Sequence, residues 1–372
     1  MRTAVVVGAG IGGAAAAVAL QQVGWRVIIL ERAQTTGEVG AGLSIWPSAV
    51  AVLGRLGVRG VEADAAPGAL GMRLASGRWV VRGTDLGARS PVMIHRAQLY
   101  DRITDQFGPH ITVRTRFAVT GVDPDATGVT VRGAAEELRA DLVVAADGIH
   151  STVRGALHPR YRGALYAGYT SYRGLAEVET HEAGGETWGR GRRFGFARLV
   201  DGRIYWYATA NQPARHRDDL ASVRAAFGDW HTPIPAILAA TTDLLQHDTH
   251  DLALPLAPFA FGHVALLGDA AHAMTPNLGR GACSAIEDAG ALAQHLNAAD
   301  SVTTALAAYD AERRPATTRL VSASRRVGRL GQVQSPVAGA LRDGALAAVG
   351  TISSLRRPRG VDTTNSGPNP VG

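Results

Sequence analysis

The sequence predicts an α/β protein: a Rossmann-like nucleotide-binding domain into which an antiparallel β-sheet is inserted, closed by C-terminal helices. Three observations carry this. A glycine-rich turn follows a short apolar run at the start of the chain, and runs of the same buried type return at 141–148 and 264–268. Between those two returns stands a group of closely spaced strands with aromatic residues on both faces. With 372 residues, 46% hydrophobic and 19% charged, the chain can bury one large core or two closely joined ones and is too hydrophobic for a disordered protein.

The elements follow in order. Residues 3–8 are β-branched and apolar up to a glycine, which predicts a strand buried on both faces of a parallel sheet. An Ala-rich stretch at 11–23 reads as a helix, and Val27–Leu30 completes a βαβ unit. Residues 70–82 read as two antiparallel strands joined at Ser76-Gly77, with a helix at 97–107 and strands at 111–119 and 129–132. Asp141–Gly148 is a second buried parallel run, the stretch 166–209 holds the inserted sheet, and Val264–Gly268 returns to the parallel type. Long helices are expected at 281–297 and 303–326. The nucleotide-binding domain is therefore discontinuous, over 1–70, 96–165 and 250–330, with a substrate domain at 71–95 and 166–249. Residues 331–372 form a C-terminal helix and a loose tail from 357.

Gly8-Ala9-Gly10-Ile11-Gly12-Gly13 supplies glycines for a tight turn, for close backbone approach to a pyrophosphate and for packing of the helix on the strand. Glu31, with Arg32 beside it, ends the next strand about 20 residues on, where a carboxylate takes the ribose hydroxyls of an adenosine. A 2′-phosphate would be repelled there, so the bound dinucleotide is FAD or NAD. Far along the chain, Asp269 ends a strand, and the glycine-flanked turn Pro276-Asn277-Leu278-Gly279-Arg280-Gly281-Ala282-Cys283 leads into a helix. Its backbone N–H groups and positive dipole end suit the anionic N1/C2=O edge of a reduced flavin.

These segments, together with Asp147-Gly148-Ile149-His150-Ser151-Thr152-Val153-Arg154, resemble in order the fingerprints of single-component FAD-dependent monooxygenases of the para-hydroxybenzoate hydroxylase superfamily, over most of residues 1–325. The resemblance implies a Rossmann-like FAD-binding domain with non-covalent FAD, and NAD(P)H as co-substrate. In that family oxygen adds at flavin C4a, and the hydroperoxide passes its distal oxygen to an aromatic or heteroaromatic small molecule. It also implies Gly42, Ser44 and Arg96 as flavin contacts, Val119 as a backbone contact to adenine, and Asp147 in a segment serving both FAD and the nicotinamide. One departure is Arg280, where the family usually has glutamine. Cys283 reads as a small residue at a helix start rather than a covalent flavin link.

Within the inserted sheet, Arg193 and Tyr205 match positions at which bacterial FAD-dependent urate hydroxylases meet their substrate. The segment Gly168–Gly174 looks more like that of zeaxanthin epoxidases. Arg193 and Tyr205 are therefore the candidate substrate-positioning pair, one for an anionic or phenolate group and one for stacking.

The 38 basic residues are all arginine, so flavin halogenases and amine oxidases that need a lysine are excluded. A dehydrogenase has no use for the segment 268–288. Epoxidation or Baeyer–Villiger insertion on a polyketide or terpenoid, and a structural or sensory flavoprotein without turnover, stay open. The Arg clusters lack interleaved aromatics, so no nucleic-acid partner is expected despite a net charge of +6. His247-Asp248-Thr249-His250-Asp251 reads as a polar loop, and no metal is expected. The lone cysteine, the absence of a leader pattern and the absence of an apolar span point to the cytoplasm, as monomer or homodimer.

Overall fold

The structure, a computed structural model, describes residues 1–37, 42–63, 66–67, 71–82, 91–182 and 184–355. Gly40, Ala41 and the expected tail at 357–372 lie outside them.

Thr3–Val7 sits in the middle of a six-stranded sheet, paired in parallel with Arg26–Leu30 on one side and Leu142–Ala145 on the other. Ile111–Arg114 and Val264–Leu266 extend the sheet in parallel outward, and Ala260–Phe261 adds an antiparallel edge. Because helices cover both faces of a parallel sheet, its inner strands are continuous apolar runs, and Ala4, Val5, Val6, Val143 and Val144 are fully buried. Helix Ile11–Gln22 buries almost its whole circumference, which its run of alanines permits. Small side chains also let Gly281–Ala298 lie close to it: a β-carbon at Gly12 would stand 3.1 Å from that of Ala285.

The inserted sheet has seven strands in the order Leu245–Asp251, Leu165–Ala176, Ile204–Asn211, Arg192–Arg198, Gly184–Trp188, Gly71–Leu74, Trp79–Arg82. All neighbours pair antiparallel except Gly184–Trp188 with Gly71–Leu74, which run parallel. Side chains alternate across this sheet. One face carries Tyr172, Phe194 and Trp206, which pack on helices Leu220–Phe227 and Ile234–Ala239, with the Phe194 and Trp206 rings stacked at 5.3 Å. The other carries Ser171, Arg173, Arg193, Tyr205, Tyr207 and Thr209.

Two expectations need correction. The polar segment 247–251 is a strand, not a loop. It is an edge strand with one neighbour, so polar residues such as His247 and Asp248 need not face a core. The strand expected at 111–119 ends at Arg114, since Arg116 has φ of 56° and cannot continue it.

Candidate active site

One cavity of about 840 Å³ runs from the carboxyl ends of the parallel strands to the polar face of the inserted sheet. Its first wall is the turn after Thr3–Val7. Gly8 has φ of +100°, and a β-carbon there would stand 2.5 Å from the carbonyl oxygen of Ala146. The helix opening at Ile11 has Gly10 as its N-cap and no side chain capping it, so its first N–H groups open to the cavity. Glu31 closes this end: Oε2 accepts from Ala9 N and Oε1 from Ala33 N, both at 2.9 Å. Arg32 and Val119 line the same end.

The middle of the cavity lies between Asp147 and Asp269. Asp147 Oδ2 accepts from Val153 N at 3.2 Å, while its buried Oδ1 has no partner. Asp269 opens the short helix Asp269–His272 just beyond the strand Val264–Leu266. Behind it His272 and Asp288 form a buried pair at 2.5 Å, and Asp288 also accepts from Gly268 N at 3.0 Å and Arg313 Nε at 2.7 Å. These bonds fix the turn that carries Asp269.

The far end is built by strand Gly42–Ile45, the turn Pro276–Leu278 and the start of Gly281–Ala298, again without a side-chain cap. Gly279 takes φ of +58° there. Arg280 is held by Glu287 at 2.7 Å and Ser48 at 3.1 Å, with Trp46 below its guanidinium. Ser44, Arg96, Pro276, Leu278, Gly279, Gly281 and Ala282 all line the cavity with it. Of the residues expected at the cofactor, Gly13 and Cys283 do not line it. Gly13 packs on the Gly8 carbonyl instead. Cys283 is buried, burial pushes its thiol up to about 11, and its Sγ donates to Ser44 O at 3.4 Å.

The wall formed by the inserted sheet holds both Arg193 and Tyr205, in surroundings that the sequence did not disclose. Arg193 is 2% exposed and spends every guanidinium nitrogen on the protein: Nη1 donates to Glu186 at 3.1 Å, Nε to Thr209 at 3.3 Å and Nη2 to Asn277. Tyr205 is buried under Gly42, and burial raises its phenol pKa against the opposing pull of Arg173 and Arg96. Glu186, Tyr207, Arg173 and Asn277 line this wall as well and were not singled out from sequence.

The uncapped helix starts, the glycine turn that no β-carbon could share, the ribose-height carboxylate of Glu31 and the unpartnered Asp147 oxygen together fit a long, anionic dinucleotide with a flat ring at the far end. Among the described residues no group of three His, Cys, Asp or Glu side chains converges as a metal set, and no helix is long and apolar enough to cross a membrane.

A dinucleotide cradle that opens onto a polar β-sheet face fits an oxidoreductase that brings a dinucleotide cofactor up to a second, small molecule. Comparison places it further: residues 1–324 match the FAD_binding_3 family, described as FAD binding domain, and the chain belongs to that family as an FAD-dependent monooxygenase. It is similar to aurachin C monooxygenase/isomerase of Stigmatella aurantiaca, 35% identical over 364 residues and 92% of each chain. An FAD-dependent urate hydroxylase of Klebsiella pneumoniae is 33% identical over 336 residues, covering 83% of this chain and 85% of that one. Among solved structures, Klebsiella pneumoniae HpxO complexed with FAD and uric acid superposes with a TM-score of 0.84 at 29% identity, over 93% of each chain.

Proposed function

We propose that this protein hydroxylates a small aromatic or heteroaromatic molecule, using NAD(P)H and O2. The observation that carries the reading is that a single cavity joins the dinucleotide cradle to a wall bearing Tyr205, Tyr207 and Arg193. FAD, when bound, supplies the redox chemistry, taking a hydride from NAD(P)H and activating O2 for transfer to an electron-rich ring.

The chain's own residues bind, orient and exclude water. Glu31 and the Gly8–Gly12 turn hold the adenosine and pyrophosphate end, with Val119 at the adenine. Asp147, Asp269 and the helix start at Gly281 face the ribityl and ring end, flanked by Ser44, Arg96 and Arg280. Tyr205 and Tyr207 give the substrate a flat floor from which water is displaced. Arg193, whose nitrogens are all engaged, is a positioning residue that acts through Glu186 and Asn277. The lone cysteine suits the reducing cytoplasm, and because one chain lines the whole cavity, either a monomer or a homodimer completes the site.

A second reading is favoured by the relative named as both monooxygenase and isomerase. Here the oxygen enters a ring double bond as an epoxide and the product rearranges. Anaerobic mixing of the FAD-loaded protein with NADH or NADPH tests the shared premise. Flavin bleaching accelerated by a subset of aromatic compounds is expected. A reduction rate indifferent to every compound, with hydrogen peroxide as the sole oxygen product once O2 is admitted, overturns it.

A further inference from the structure

Strand register sets a row of four residues directly across the wall of the cavity. Arg173 pairs with Tyr207, Tyr207 with Gly195, and Gly195 with Glu186, on four adjacent strands. Directly paired residues project to the same face, so this row is aimed at the substrate end of the cavity, which Arg173, Tyr207 and Glu186 all line. Gly195 is the gap in it: a β-carbon there would stand 2.3 Å from Tyr207 Cζ, so the tyrosine ring lies flat across the glycine with its hydroxyl toward Glu186. The row therefore has a cation at one end, a carboxylate at the other and a phenol ring as the floor between them.

The two ends differ in what they are free to do. Glu186 takes Arg193 Nη1 on Oε1, and its side chain still keeps 23% exposure beside an arginine with 2%. Arg173 is half-buried and makes no hydrogen bond or ion pair among the described residues. Three strand spacings of about 4.8 Å separate their backbones, roughly 14 Å. Both side chains stand on the cavity face of the sheet, and a gap of that width admits one or two fused rings between them.

Resting on the monooxygenase reading above, we propose that the site selects a planar heteroaromatic with an N–H or O–H donor on one edge and a carbonyl or oxyanion on the opposite edge. Glu186 accepts the donor and Arg173 donates to the oxygen. A ring oriented this way is polarised from the N–H toward the oxygen. Its carbon next to the carbonyl is thereby enriched in electron density, as electrophilic oxygen transfer requires. A substrate recognised only by a carboxylate gains nothing from Glu186 and meets its negative charge.

The test is calorimetric titration of the FAD-loaded protein with 4(1H)-quinolone, with its oxygen isostere chromone, which lacks the N–H, and with quinoline-4-carboxylate. The quinolone is expected to bind about 10- to 100-fold more tightly than chromone, the ratio set by one hydrogen bond to a charged acceptor. Glu186→Gln should bring that ratio to within about threefold, because a carboxamide oxygen keeps Arg193 satisfied while accepting more weakly from substrate. Arg173→Gln should weaken both ligands alike by about tenfold. Equal binding of quinolone and chromone by the unaltered protein, tightest binding by the carboxylate, or no binding by any of the three overturns the proposal without recourse to a variant. Salicylate-stimulated NAD(P)H oxidation with no preference for the N–H would sink the substrate assignment alone, and no stimulation by any aromatic compound would sink the monooxygenase reading itself.

Discussion

Gly42 lies against the ring of Tyr205: a β-carbon at Gly42 would stand 2.5 Å from Tyr205 Cδ1 and 2.7 Å from Cγ. The strand that borders the flavin end thus touches the substrate wall with no side chain between them. Gly42→Ala must push the buried tyrosine aside, an overpacking cost of about 1–3 kcal/mol. We expect FAD retention to be unchanged, KM for the aromatic substrate to rise about tenfold and more of the NAD(P)H consumed to end as hydrogen peroxide. Steady-state assays with peroxide detection would show this. Unchanged KM and unchanged coupling would mean that the contact carries no functional weight.

Gly8→Ala should be worse for the fold. Its φ of +100° is one that L side chains rarely adopt, and the added carbon would stand 2.5 Å from the Ala146 carbonyl in the middle of the parallel sheet. A loss of about 2 kcal/mol or more is expected, with colourless protein on purification. Thermal unfolding and the flavin absorbance of the pooled fractions measure both.

Glu31→Ala removes the acceptor for Ala9 N and Ala33 N as well as the carboxylate at the ribose end. FAD affinity should fall at least tenfold, a hydrogen bond to a charged acceptor being worth about 1.5–3 kcal/mol. Gel filtration followed by absorbance at the flavin band gives the answer. A variant that holds FAD as well as the parent contradicts the assignment.

The buried pair His272 and Asp288 makes stability depend on pH. Burial by itself would lower the His272 pKa, but Asp288 outweighs it and holds the imidazole above its ordinary 6.5. Burial would likewise raise Asp288, but His272 and Arg313 keep it below its ordinary 3.8. The histidine's contribution is full below pH 6.5 and is lost as pH rises through its raised value. The aspartate's is full above pH 3.8 and is lost as pH falls through its lowered value. His272→Gln should therefore cost on the order of 3 kcal/mol at pH 6 and progressively less toward pH 9. Denaturant unfolding at both values checks this, and an equal loss at the two would contradict it.

Legibility in the sequence followed distance along the chain. The cradle was readable because Gly8, Gly10, Gly12 and Glu31 are fixed by one βαβ unit, in which spacing alone sets geometry. Asp269 and the turn at 276–283 were readable because a strand, a turn and a helix follow one another directly. The substrate wall was not, since Glu186, Gly195, Tyr207 and Arg173 come from four strands whose order and register are set by tertiary pairing. The alternation of Tyr205, Tyr207 and Thr209 was the one local trace of that face. Arg193 was found by resemblance, but no local pattern announces that Glu186, Thr209 and Asn277 take up its nitrogens. Edge position, likewise invisible in a single strand, turned the polar segment 247–251 from an expected loop into part of the sheet.

Turnover under ¹⁸O2 shows whether this cavity transfers one atom of O2 to a ring held against Tyr205 and Tyr207. The FAD-loaded protein is supplied with NADH or NADPH and a panel of phenols, purines and N-heteroaromatic compounds, and products are read by mass. At least one compound is expected both to stimulate NAD(P)H oxidation and to gain a single ¹⁸O. Oxidation that no compound stimulates, or products that carry oxygen from water instead, would contradict it.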